Sequence, residues 1–119
     1  MRQYIPREKQ VITIPNGDSV SDVIDLTNTS LLGLIMPAAW TTAALNISVS
    51  HDGVNWFVCY DAYGSAANSI SSPVVGSAYS LDAQSLLPWR YARLRSGTVA
   101  TPVPQGADRA FTIVKRGLA

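Results

Sequence analysis

A chain of 119 residues with one cysteine, one histidine and a formal charge of +1 is sized for a single domain with its own core. That Cys and His usage excludes an intramolecular disulfide and thiolate or His-rich metal sites, and the near-neutral balance lacks the strong basic excess of nucleic-acid-binding domains. Only 14 % of residues are Asp, Glu, Lys or Arg, against roughly 25 % in an average soluble domain.

The first ten residues, MRQYIPREKQ, read as a polar arm with Arg2, Arg7 and Lys9 against Glu8, and Pro6 discourages regular pairing until the chain has passed it. No apolar run follows these charges, so neither a secretory signal nor a membrane span is expected, and the product is expected to be soluble and made in the cytoplasm. Residues 11 to 119 read as one domain. Gln10 to Pro15 is a short β-branched strand, closed by the turn signal Asn16-Gly17-Asp18. Val20 to Leu26 resumes as a strand, with Asp22 and Asp25 on opposite faces. Leu31 to Pro37 is apolar on both faces, as in a strand buried from both sides, and Gly33 and Pro37 argue against a helix. Trp40, in the loop that follows, either plugs the end of the fold or stands out as a contact residue; the high average burial of Trp favours the plug.

The clearest local structure lies between Ala44 and Asp61. Leu45, Ile47 and Val49 alternate with Asn46, Ser48 and Ser50, the two-residue period of a half-buried strand. His51-Asp52-Gly53 supplies the reversal, with Asp52 and Gly53 as turn residues. The returning strand puts Val54, Trp56, Val58 and Tyr60 on one face and Asn55, Phe57, Cys59 and Asp61 on the other, which predicts a hairpin deep in the domain with Trp56 and Val58 in the core. From Ala62 to Ser80 the chain is rich in Gly, Ser and Ala, either a mobile loop pair or an edge ordered in an assembly, with weak strand patterns near 68 to 72 and 77 to 81. After a corner at Leu86 to Trp89, Arg90 to Ser96 is a strand, Gly97 to Ala107 a long loop, and Arg109 to Lys115 the closing strand. Leu94, Phe111 and Ile113 complete the expected core. Eight or nine short strands without a convincing helix predict an all-β, antiparallel β-sandwich of jelly-roll type, with no strand order derivable.

Chemistry is sparse. Ser50, His51 and Asp52 match the residue types of a hydrolytic triad, but successive strand residues point to opposite faces, so a turn is the better reading. Calcium would need Asp18, Asp22 or Asp25, in loops without the required density of oxygens. Ser96-Gly97-Thr98 lacks the lysine of a phosphate loop, and Cys59 reads as a buried structural thiol. No enzyme activity, metal or cofactor is expected. The last third is basic, with Arg90, Arg93, Arg95, Arg109, Lys115 and Arg116 against Asp108. Such arginines usually pair locally; an exposed patch would suit an acidic partner surface. A charge-poor small domain with 47 % apolar residues leaves some surface apolar or merely hydroxylated. Partners or copies of the chain are therefore expected to cover part of it; the alternative is a monomer coated in Ser, Thr and Asn.

Two resemblances arise at these residues. Ser50-His51-Asp52-Gly53-Val54-Asn55-Trp56 with Arg90-Tyr91-Ala92-Arg93-Leu94 resembles the hairpin and strand of discoidin and galactose-binding-like jelly rolls. The fuller pattern adds Gly33 to Thr41, Leu94 to Thr98 and the Pro102 to Arg109 run, covers most of residues 10 to 116, and is similar to small virion structural proteins of tailed bacteriophages. That resemblance implies a non-enzymatic virion component, foremost a capsid decoration or cement protein, with a head-tail connector or tail component as the alternative. Its partners would be the major capsid protein or other virion subunits and copies of itself, with neither nucleic acid nor membrane. Arg2, Arg7 and Lys9 of the arm are the candidate contacts. A second reading is a carbohydrate-binding module, in which Trp40, Tyr63 or Tyr79 stacks on a sugar ring.

Overall fold

The computed structural model describes residues 7 to 117, and within them the chain forms eight strands in two antiparallel four-stranded sheets. In chain order these are β1 (Arg7–Ile14), β2 (Ile24–Asp25), β3 (Thr29–Ile35), β4 (Leu45–Ser50), β5 (Phe57–Val58), β6 (Ala78–Ser80), β7 (Tyr91–Ser96) and β8 (Arg109–Gly117). One sheet has the order β1-β8-β3-β6 and the other β2-β7-β4-β5. Pairing the first strand with the last and the second with the seventh is the winding of a jelly roll, so the expected fold class stands and now has its strand order. A 3-10 turn at Ala83–Leu86 precedes β7, capped by the Asp82 carboxylate, which accepts from the Gln84 N–H.

The core lies between the sheets and follows strand parity. Ile12 and Ile14 enter it from β1, Leu45, Ile47 and Val49 from β4, Ala92 and Leu94 from β7, and Phe111 and Ile113 from β8, all nearly inaccessible to solvent. Trp40 packs edge-on against Phe111, ring centroids 5.6 Å apart, and its Nε1 donates to the Ala43 carbonyl at 3.1 Å. It therefore plugs one end of the sandwich.

Four local expectations are corrected. Residues 7 to 10 of the expected arm belong to β1 and pair with Arg116 to Ile113 of β8. The Val20–Leu26 strand shrinks to β2, because the Ser21 hydroxyl accepts the Leu94 N–H in place of a backbone carbonyl and an isolated Val20–Arg95 bridge shifts the register. Strand β3 carries a bulge between Leu31 and Gly33, which turns Leu31 and Leu34 to the same interior and leaves Ile35 exposed. The hairpin predicted for the deep interior lies at a sheet edge: β5 is only two residues long, pairs with β4 alone, and exposes both side chains. Trp56 is half-buried and Val58 is 37 % exposed, so neither belongs to the core. Their face is the outer one, and no other layer of the described chain covers it.

Candidate functional site

Strand β7 turns Ala92, Leu94 and Ser96 inward, so Tyr91, Arg93 and Arg95 project from the outer face of the second sheet. Their register partners on β4 are uncharged, with Ser48 opposite Arg93 and Asn46 opposite Arg95. On the other side Val20 bridges to Arg95. The Arg93 guanidinium carbon lies 4.3 Å from the centroid of the Trp56 ring, a cation–π contact that fixes the head group over the sheet. The Nε atoms of both Arg93 and Arg95 are buried and have no hydrogen-bond partner among the described residues. Burial first, and then the adjacent Arg95 charge, hold Arg93 below the usual guanidinium value, although it stays cationic at neutral pH. Two cations thus share one face without a local counter-ion among the described residues.

Beside Arg95 the same face sinks into a hollow of about 290 Å³, walled by Asn46, Ser48, Val58, Tyr60 and Val99. Most of its lining is apolar. Val99 comes from the loop between β7 and β8, whose shape is set at two points. Gly97 adopts φ +80, where a side chain would collide with the Thr101 carbonyl oxygen. Gln105 is almost fully buried. Its Oε1 accepts from the Thr41 N–H at 2.8 Å and Arg109 Nε at 3.1 Å, while its Nε2 donates to the Thr41 carbonyl at 3.1 Å and Ser96 Oγ at 2.7 Å. One amide therefore ties the β3–β4 loop, the end of β7 and the start of β8 together.

The carboxylates are committed elsewhere. Asp22 accepts from the Thr13 N–H, Asp25 from Thr27, Asp61 from Tyr63 and Ser65, Asp82 from Gln84, and Asp108 from Asn16. Asp52 accepts from the N–H groups of Val54 and Asn55, both at 2.8 Å, and from the Asn55 amide. Bonds from Asn55 and Val54 push its pKa well below the usual carboxylate range. With Gly53 at φ +78, and its N–H donating to Ser50 Oγ at 2.9 Å, these residues build a turn. The Ser50 hydroxyl donates to Asp52 Oδ1, and His51 is exposed beside them. Among the described residues no three His, Cys, Asp or Glu side chains gather as a metal site, and no helix is long and apolar enough to cross a membrane. Cys59 is buried, its thiol pKa raised by desolvation and then by Asp82.

The candidate contacts named from the sequence do not converge. Arg2 lies outside the described residues; Arg7 and Lys9 are exposed on β1. Trp40 lines a groove with Thr42, Ser71 and Pro73, and Tyr79 lines another with Arg7 and Leu34. The Tyr79 hydroxyl accepts the Val74 N–H at 2.9 Å, whereas Tyr63 is 94 % exposed. The basic residues of the last third divide. Arg90 bonds Thr27 Oγ1, Arg109 bonds Gln105 and Thr41, and Lys115 reaches the Asp25 carbonyl. The sequence places Arg93 and Arg95 in a basic stretch that would suit an acidic partner if exposed, without singling them out from the other arginines. Their two-residue spacing on a predicted strand signals a shared face; their missing counter-ions become visible only in the folded chain.

No family model matches the chain, and no curated protein matches it. Among solved structures the chain is similar to the SPBc2 prophage-derived protein YomS, with a TM-score of 0.60 at 7 % identity, covering 98 % of this chain and 100 % of that one. The likeness shows that a prophage-derived protein has this fold over essentially its full length.

Proposed function

We propose that this chain is a non-enzymatic structural subunit of a bacteriophage virion, a capsid decoration protein that docks on the shell through a charge-poor, partly apolar surface. The observation that carries the reading is strand β5. It is an edge strand with apolar side chains on both faces, Phe57 52 % exposed and Val58 37 % exposed, flanked by Val54 at 78 % and Tyr60 at 62 %. Single exposed apolar residues are ordinary, but an uncovered apolar edge invites another chain. The low charge of the whole chain points the same way, and the fold shared with a prophage-derived protein supports the phage setting. A subunit made in the host cytoplasm and carried in the virion needs no disulfide, in keeping with its single cysteine.

The test is co-sedimentation of the purified chain with shells assembled from the major capsid protein of the same genome. Binding is expected with the wild type and is expected to be lost in a Phe57→Ser, Val58→Thr double variant, whose melting temperature should stay close to that of the parent because both side chains are exposed. A monodisperse monomer that ignores shells overturns the reading.

A further inference from the structure

We infer that the outer face around Arg93 and Arg95 is a recognition site for an extended acidic segment of a partner polypeptide, one that presents two carboxylate side chains two residues apart. This deepens the reading given above, on which the choice of a polypeptide partner rests.

Buried polar atoms in folded proteins are almost always bonded, and a buried guanidinium N–H left without an acceptor is costly. Here two such atoms, the Nε of Arg93 and of Arg95, lie side by side on one strand face. The chain has acids that could have served them, yet six aspartates accept backbone N–H groups at turns and strand ends instead. The strand positions beside the two arginines carry Ser48, Asn46 and Val20, none of them charged. With no acidic side chain on the strand positions beside them, the two guanidinium groups on this outer face are open to an acceptor brought by a partner, and a carboxylate is the side-chain acceptor that matches a guanidinium in charge and in paired geometry.

Spacing and shape narrow the partner. Alternate residues of a strand are about 6.6 Å apart on one face, so the two head groups repeat with the period of another extended chain rather than a helix. Trp56 holds the Arg93 guanidinium in place before anything binds, which lowers the entropic cost of capture. The hollow of about 290 Å³ beside Arg95 has the capacity of a side chain or two, and its apolar walls at Val58, Tyr60 and Val99 suit methylene groups better than the hydroxyls of a sugar. An acidic residue seated there would lay its aliphatic stem on those walls and its carboxylate on Arg95. Its neighbour two positions along would meet Arg93.

The experiment uses the full chain, labelled with nitrogen-15, titrated with a capped pentapeptide of sequence Val-Glu-Ser-Glu-Val and with its Gln-for-Glu counterpart. Expected is a shift of the Arg93 and Arg95 Nε–H resonances with the Glu peptide alone, an affinity that falls as salt is raised, and a loss of about tenfold or more in Arg95→Met. Removing an unpaired cation is expected to leave Arg93→Met and Arg95→Met folded, so the variants remain usable controls. Equal binding of the Glu and Gln peptides overturns the inference, as does silence with both at about 10 mM, a concentration that would detect even the weakest specific pairing. Shifts of the same resonances with an oligoglucuronate but not with the Glu peptide also overturn it, in favour of an acidic glycan. Peptide binding without shell binding would leave this site standing and remove the decoration reading; shell binding without peptide binding, unchanged in Arg95→Met, would do the reverse.

Discussion

Replacing Gln105 tests whether one buried amide holds the loop end of the sandwich. Gln105→Ala removes four hydrogen bonds at once, two accepted by Oε1 and two donated by Nε2. A neutral bond contributes about 1 kcal/mol and one to a charged group, as with Arg109, about 2 kcal/mol. Water entering near the half-exposed Thr41 and Arg109 recovers some of that sum, but the buried Ser96 hydroxyl has no such route. A net loss of about 3 kcal/mol follows, and for a chain of this size that is a fall in melting temperature of roughly 12 °C. Calorimetric melting at neutral pH measures it. Gln105→Met separates bonding from packing, since Met fills nearly the same volume without offering a partner. If the bonds matter, Met loses most of what Ala loses; a Met variant melting within about 3 °C of the parent would refute the hydrogen-bond account and leave only a filled space.

Gly97→Ala should destabilise by about 3 kcal/mol, because a Cβ there would meet the Thr101 oxygen at 2.5 Å and Val103 N at 2.9 Å, whereas Gly64→Ala, with open space around it, should cost only the roughly 1 kcal/mol of its left-handed backbone; denaturant unfolding of both decides. Asp52→Ala should destabilise at neutral pH, and the difference from wild type should close in acid. Its folded pKa lies below the ordinary 3.8, so its contribution is complete above that value and disappears as pH falls through the folded one; melting curves from pH 7 down to about pH 2 would show the gap narrowing only below about pH 4.

Much of this fold is legible along the chain because strand parity is a local property. The Leu45-Ile47-Val49 alternation gives β4 its observed bounds, and the turn chemistry of Asp52 and Gly53 gives the reversal after it. Where parity fails, the cause is tertiary. Val54 to Tyr60 looks interior because both of its faces are apolar, but whether such a strand is covered depends on which strand pairs with it next, and β5 has no further neighbour in its sheet. The bulge in β3 rephases Leu31 against Leu34, and a run apolar at nearly every position conceals that shift. The site was half-legible. Arg93 and Arg95 are placed on one face by their spacing, yet a sequence cannot say that Asp25 of β2 and Asp22 just before it turn their carboxylates to backbone amides instead.

The allocation of charge joins these observations. A jelly roll of short strands has many turns, each leaving backbone N–H groups without ladder partners, and a short aspartate side chain reaches them with little loss of entropy. In a chain with eight acidic residues, using Asp22, Asp25, Asp52, Asp61, Asp82 and Asp108 in this way leaves Glu8 and Asp18 to neutralise the remaining arginines. Glu8 is on β1 in the opposite sheet, so it cannot reach the outer face that carries Arg93 and Arg95, and the exposed Asp18, in the turn before Val20, makes no hydrogen bond to either arginine. Turn building and the cationic face are thus two consequences of one scarcity. Adding an acid opposite the pair, as in Ser48→Asp at a position only 3 % exposed, should set a carboxylate against the arginines and weaken capture of the acidic peptide, read as a lower affinity in the same titration.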